Sequence, residues 1–439
     1  MADLRDGSGL GQRDDARRAL ILVDDGGGQF GPLCDLRPAF GLRTGVHTHA
    51  ERLAERLGGT IVGSRVPERL AEVVAASTGL AANRMIEGDA HRIGEGDSFA
   101  IVNGRLVATP AQIALCREFL DGGGRGALVT ADGTLVAARL GESDARAFLT
   151  TGRVPAGQVE TIATASFLEH PWDILEGLGA AITEDIERIR SHAPSAYRTI
   201  AADDPRRMGS HAVLVHTSAT VAPFVVFDAS AGPILVGEGA TIRPFAVLCG
   251  PCAIGRGSTI ADRSLIKSNT TCGPQCRLGG EVGGTSIVGC SNKTHDGHLG
   301  DSVIGEWVNL GAGTDNSNLL NTYGEVPVRL EPDGQRQRSG RIFLGAIIGD
   351  HVKCAIGTRL MTGTVIGTGA MIAASSPPPS TVERFAWITD EGARRYALPK
   401  FVEVMRTVMR RRSLEPSAAY VAAVERLHAS LPSSDGAGR

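Results

Sequence analysis

The residues best suited to chemistry sit in one polar stretch, Ser291-Asn-Lys-Thr-His-Asp-Gly-His-Leu-Gly-Asp-Ser-Val-Ile-Gly305, followed by Asn309-Leu-Gly-Ala-Gly-Thr314, Asn318 and Asn321-Thr-Tyr-Gly-Glu325. An imidazole titrates near neutral pH, so a histidine here can take a proton from an amine that would otherwise be too protonated to attack an acyl carbon. Carboxamides can hold the acceptor in a near-attack geometry, and an amide or backbone N–H must meet the developing oxyanion. By spacing alone His295 reads equally well as a turn histidine. A second place is the glycine-rich loop Asp24-Asp25-Gly26-Gly27-Gly28-Gln29 after the apolar run Ile21-Leu22-Val23. Such a loop can cradle phosphates through its amides, or can be a plain turn. The pairs Cys249/Cys252 and Cys272/Cys276 have superficially zinc-like spacing, but they read as small buried or turn residues.

The elements that must position these groups follow from a repeat. An aliphatic or small residue recurs every six positions: Val236, Ile242, Leu248, Ile254, Ile260, Ile266, Cys272 and Leu278. The grid returns as Val282, Val288, Ile304 and Leu310, and after an interruption as Ile348, Cys354, Leu360, Ile366 and Ile372. Six residues make one short strand and one turn. Three units close a triangular coil of about 18 residues, and coils stack at the ~4.8 Å strand spacing. This is the hexapeptide signature of a left-handed parallel β-helix. The composition agrees, with 57 glycines and only 4% aromatic residues. The interruption, 313–343, is polar and turn-rich, with Val326, Val328 and Leu330 alternating like one arm of a hairpin. It is expected to lean over a neighbouring coil or subunit.

Before the repeat, strand-like runs alternate with helical spacing, which predicts an α/β domain with a mainly parallel sheet. The reading divides the chain into a tail over 1–18, an α/β (Rossmann-like) domain over 19–192, for which the resemblance described below implies a nucleotidyltransferase-like fold, a linker over 193–212, the β-helix over 213–376 and a C-terminal helical extension over 377–439. Arg410-Arg411-Arg412 reads as a solvated helix end. The net charge of −3 gives no basic field for nucleic acid. No run reaches the roughly 20 apolar residues of a membrane helix. The expectation is a cytoplasmic protein with neither a nucleic-acid nor a membrane partner.

Over roughly 20–412 the chain resembles the GlmU-like sugar nucleotidyltransferase family. It is similar to the bifunctional type that joins glucosamine-1-phosphate acetyltransferase to N-acetylglucosamine-1-phosphate uridylyltransferase. The resemblance implies a homotrimeric transferase of cell-envelope sugar-nucleotide biosynthesis, acting on a sugar phosphate and a nucleotide with acyl-CoA (acetyl-CoA) as co-substrate. It implies His295, four residues before Leu299-Gly300-Asp301, as the acyl-transfer base, with Asn318 beside the acceptor amine and Glu281 as a carboxylate near the histidine. Lys293, His298, Asn309 and Tyr323 are the implied substrate contacts. His298 stands where the bifunctional enzymes carry an aromatic. Ala312, Ala373 and Ser375 fall where the acyl-CoA groove would run.

In the first domain Gly26, Gly27, Gly28, Arg37 and Asn103 take the nucleotide-binding positions, with Mg2+ as the implied ion. The family's Gly-x-Gly-Thr-Arg arginine is missing, Arg37 is the nearest basic replacement for the following lysine, and Val102-Asn103-Gly104-Arg105 stands where a metal-binding Gly-Asp would be. No resident metal ligand set is expected. Two other classes compete. One is a non-catalytic sugar-nucleotide binding or scaffold protein. The other is a zinc hydrolyase of the gamma carbonic anhydrase type, with His295, His298 and His351 as ligands.

Overall fold

A computed structural model describes residues 18–84, 98–122, 124–154 and 158–432. The expected tail over 1–18 lies, but for Arg18, outside the described residues. The first domain is a seven-stranded sheet of β1 (Arg18–Val23), β2 (Gly59–Arg65), β3 (Ala81–Ala82), β4 (Phe99–Asn103), β5 (Gly126–Thr130), β6 (Leu135–Leu140) and β7 (Gln158–Ile162), in the order β3-β2-β1-β4-β6-β5-β7. Only β6 runs antiparallel to its neighbours. Its helices are α1 (His49–Leu57), α2 (Glu68–Thr78), α3 (Pro110–Asp121), α4 (Glu142–Thr151), α5 (Pro171–Glu176) and α6 (Leu178–His192). Thr48 and Glu51 cap α1 reciprocally, and Gly58 ends it at φ 67°. The strand order reverses about β1, so the loop after β1 and the residues after β4 meet at the crevice where α/β sheets bind ligands.

The second half is the β-helix. Three parallel sheets form three faces, and Ile242 stacks on Ile260, eighteen residues on. One column of inward residues runs Ile242, Ile260, Leu278, Lys293, and another runs Val236, Ile254, Cys272, Ile287. All but one of the grid residues lie in a single core cluster. The exception is Val288. A shortened coil pairs Cys272 with Ile287, so Ile287 points inward and Val288 packs on the first domain. Corners accept left-handed residues with side chains, and Cys290, Trp307, His351 and Phe385 occupy one such edge.

Stacking continues past the expected end at 376. Thr381–Val382 pairs with Val365–Ile366 and Ala386–Thr389 with Met371–Ala373, because the Pro377-Pro-Pro379 run occupies a corner, where no ladder donor is needed. The expected linker also takes part: Tyr197–Thr199 and Arg207–Met208 pair with the first coil. Two C-terminal helices, α7 (Leu398–Arg410) and α8 (Ala418–Ala429), follow.

The first face of the prism is covered by the first domain. Leu214, Leu235, Ala253, Val303 and Ile347 pack against Phe30, Leu33, Trp172, Leu178 and Ile182. The insertion is a hairpin, Pro327–Val328 with Gln337–Arg338. Val326, Val328 and Leu330 join this interface, so the segment rests on the chain's own first domain. Helices α7 and α8 cover the second face, and α8 reaches α2 through Arg426 and Glu72, 3.2 Å apart. The third face carries Glu281–Gly283 and His298–Gly300.

Two histidines are enclosed within this packing. His49 binds the Leu106 carbonyl and burial, helped by Arg52, pushes it down to about 3; burial holds His351, bonded to the Tyr420 hydroxyl, well below its ordinary value. The unfolded chain therefore binds more protons than the folded one below about pH 6.5. Stability is expected to be complete above that pH and to fall as pH drops, by about 1.4 kcal/mol per unit for each histidine. Thermal scans from pH 7.5 to 5 check this, and a flat melting temperature contradicts it.

Candidate functional site

The corner between the second and third faces carries the first part of the site. Thr294, His295 and Asp296 turn this corner and share an open cleft with Ala261, Asp262, Ala312, Gly313, Ile356 and Gly357 from neighbouring coils. His295 is exposed, and Ile356 beside it is 79% exposed. Ala373 and Ser375 follow two coils beyond Ala312 near the same edge, with the Ser375 amide and hydroxyl donating to Asp390 at 2.7 and 2.9 Å.

Lys293 is a correction. It occupies an inward position, stacked on Leu278, and is 2% exposed. Its ammonium donates to the His295 carbonyl at 2.5 Å and to the Gly279 carbonyl at 3.3 Å. Burial pulls it below the ordinary lysine value, against the attraction of Asp315 and Asp296. It cannot contact a substrate; it holds the turn that presents His295.

Glu281 stands on the third face. It lies beside His298 in register on the third face, with His298 Nε2 3.9 Å from Glu281 Oε1 and Lys267 Nζ at 3.1 Å. His298 Nδ1 faces the Asn316 carbonyl at 3.1 Å, and its backbone N–H donates to Asp315 at 2.6 Å. Asn318 donates to Asp301 at 2.7 Å in the same strip. Asn309 belongs to neither group. It meets Asn292 at 3.4 Å in a groove under α7. Tyr323 projects from the insertion, 75% exposed. His351 lies on a different corner, bonded to Tyr420, so His295, His298 and His351 do not converge as a zinc set.

In the first domain, Arg37 is not at the glycine loop. Its guanidinium forks onto Asp350 with two 2.8 Å bonds and reaches Glu306 at 2.9 Å, all within the interface with the prism. Two of the glycine amides are taken as well. Gly26 N donates to Asp24 at 3.0 Å and Gly27 N to Asp25 at 2.9 Å. Gly26 and Gly28 have φ of 73° and 75°, and a Cβ on Gly27 would strike the Arg105 guanidinium.

Arg105 bridges Asp25 and Glu169 at 2.8 and 2.7 Å, over the Phe167 ring. Asn103 is fully buried and donates to Asp25 at 2.8 Å. Burial would raise Asp25, but its bonds from Arg105 and the Gly27 amide hold it below the ordinary carboxylate value. Both Asp25 oxygens are saturated by donors, so a magnesium ion would have to displace an arginine. The residues present do not fit that ion. Asp25, Arg105 and Glu169 are the cluster that reading the loop for glycines passed over.

Fold and site define a class: an α/β domain with a mainly parallel sheet leading into a left-handed hexapeptide β-helix with an exposed corner histidine. Residues 20–193 match the family model of a sugar nucleotidyl transferase. The chain is 31% identical over 139 residues to the bifunctional protein GlmU of Methanococcus vannielii, covering 32% of this chain and 31% of that protein. It is 37% identical over 143 residues to the bifunctional sugar-1-phosphate nucleotidylyltransferase/acetyltransferase of Sulfurisphaera tokodaii, covering 32% and 35%. The matches span about a third of the length of these relatives. Among solved structures, the N-acyltransferase AntD of Bacillus cereus, in complex with dTDP and 3-hydroxybutyryl-CoA, aligns at 14% identity and a TM-score of 0.19, over 47% of this chain and 92% of that one. The first domain thus matches a sugar nucleotidyl transferase, and about a third of the chain is similar to GlmU-type bifunctional proteins. Among the described residues, no helix is long and apolar enough to cross a membrane.

Proposed function

We propose that the protein is a sugar-phosphate transferase whose prism moves an acyl group from acyl-CoA to the amine of an amino-sugar phosphate. The carrying observation is the exposed His295 ring on a cleft that runs over several coils, its turn fixed from inside by Lys293. The amine loses a proton to His295 as its nitrogen attacks the thioester carbonyl. The tetrahedral intermediate then collapses, expelling the CoA thiolate, which takes up a proton. His298 and Asn318, on the adjoining strip, are the acceptor contacts; Ala312, Ala373 and Ser375 mark the path of the acyl donor. The open cleft and the exposed, stacked Phe224 and Phe245 suit a homotrimer that closes this edge against a second prism. The proposed division is an α/β unit to about 192, a prism to about 389, supported by the strand pairs up to Thr389, and a helical cap.

A second reading concerns the first domain. Its loop amides are engaged and Asp25 is saturated, which favours binding of a nucleotide sugar without metal-dependent turnover. The test is thiol release from acetyl-CoA with a panel of amino-sugar phosphates, run beside pyrophosphate release from nucleoside triphosphates with magnesium. Thiol release that requires the acceptor supports acyl transfer; none with any acceptor overturns it. Pyrophosphate release would overturn the binding-only reading.

Lys293→Met tests the positioning role. The change keeps the volume of the column, so stability is expected to shift by less than about 1.5 kcal/mol. The expected result is a tenfold or larger fall in kcat with KM nearly unchanged. Equal loss of melting temperature and activity would make Lys293 merely structural.

A further inference from the structure

Helix α7 lies along the second prism face, and between them opens a groove of about 400 Å³ lined in part by Asn292, Trp307, Asn309, Lys353, Arg411 and Arg412. Among the described residues none of its lining groups is a carboxylate. Lys353 projects outward from its strand between the inward Val352 and Cys354, and its Nζ donates to the Trp307 carbonyl. Arg412 donates to Asn292 Oδ1 at 2.7 Å, and Asn292 in turn reaches Asn309. The oxygens meeting these two cations are therefore neutral.

A cation withdrawn from water beside neutral acceptors is poorly compensated. Burial accordingly pushes Lys353 down to about 8, and burial together with Arg277 pulls Arg412 below the ordinary arginine value. The dipole of α7 explains a basic last turn, and Arg410 serves there, turned outward to Glu415 at 2.8 Å. It does not explain Lys353, which belongs to the prism. The expected solvated Arg410-Arg411-Arg412 run is thus divided, with Arg412 turned inward.

We propose that this groove binds the phosphate monoester of a small-molecule ligand, with Lys353 and Arg412 as paired donors, Asn292 and Asn309 as hydrogen-bonding neighbours and Arg411 at the rim. A dianion meets two cations in a partly desolvated setting, where charge-assisted bonds are strongest. The groove shares no lining residue with the His295 cleft. Its phosphate donors are therefore separate from the groups at the His295 corner.

Two ligand pairs separate the sources of such a phosphate: coenzyme A against its 3′-dephospho form, and glucosamine 1-phosphate against glucosamine. Calorimetry on the full chain at low salt is expected to show at least tenfold tighter binding of the phosphorylated member of one pair. Lys353→Met and Arg412→Met, each first shown by circular dichroism to be folded, are expected to erase that ratio, whereas Lys353→Arg retains it within about threefold. The pair that shows the ratio identifies the source. Equal affinities within both pairs, or a ratio that survives both methionine variants, overturn the proposal. His295→Ala is expected to keep the ratio, so failure of acyl transfer and failure of this site give different results.

Discussion

Alanine at position 295 is expected to lower kcat for acyl transfer by about 10²- to 10⁴-fold, the usual range for losing a positioned general base. The affinities for acyl-CoA and acceptor should stay within a few-fold, because the exposed ring makes no contact that orders the cleft. The reason for the size lies in the acceptor. A protonated amine has no lone pair to offer, and without a base only the small deprotonated fraction in solution reacts. The variant's rate should therefore climb more steeply with pH than the wild type's, as bulk deprotonation takes over the missing step. Steady-state kinetics between pH 6 and 9.5 checks both points. Turnover within tenfold of wild type, with an unaltered pH profile, removes His295 from the reaction.

The second large effect is on stability. Arg37→Leu is expected to cost about 3–5 kcal/mol, because it leaves Asp350, whose side chain is 1% exposed, and Glu306 without their cation in the interface. Burial already raises Glu306 above its ordinary value even with Arg37 present. Without the guanidinium, which lowers it, the Glu306 carboxyl should be forced higher still. A carboxyl whose folded value is raised contributes stability only below its unfolded value, and loses it as pH rises. The deficit of the variant should therefore be large at pH 7.5 and shrink toward pH 4.5. Calorimetric melting at the two pH values measures it, and Asp350→Leu added to Arg37→Leu should recover part of the loss by removing one stranded charge. A deficit below 1 kcal/mol combined with lost nucleotide affinity would return Arg37 to the glycine loop.

The same residue shows where reading the sequence stopped. Arg37 follows a strand and a glycine-rich loop, and proximity along the chain suggested a phosphate contact. Its partners lie more than 250 residues away, and no local pattern announces them. Nor does the sequence show where Asn309 and Glu281 sit: the pleat and the corner send them to the groove under α7 and to the strip beside His298.

The sequence by itself determined the prism, because a period of six repeated over many coils admits one inward column per face, and the core cluster contains every grid residue except Val288. It also determined one arm of the hairpin in the insertion, since Val326, Val328 and Leu330 alternate there. Only the tertiary structure decided which face the first domain covers, that Lys293 lies inside the column, and that the glycine loop spends its amides on its own aspartates. Those outcomes depend on long-range packing and on which charges lose their water together, and both are set by neighbours that sequence spacing does not name.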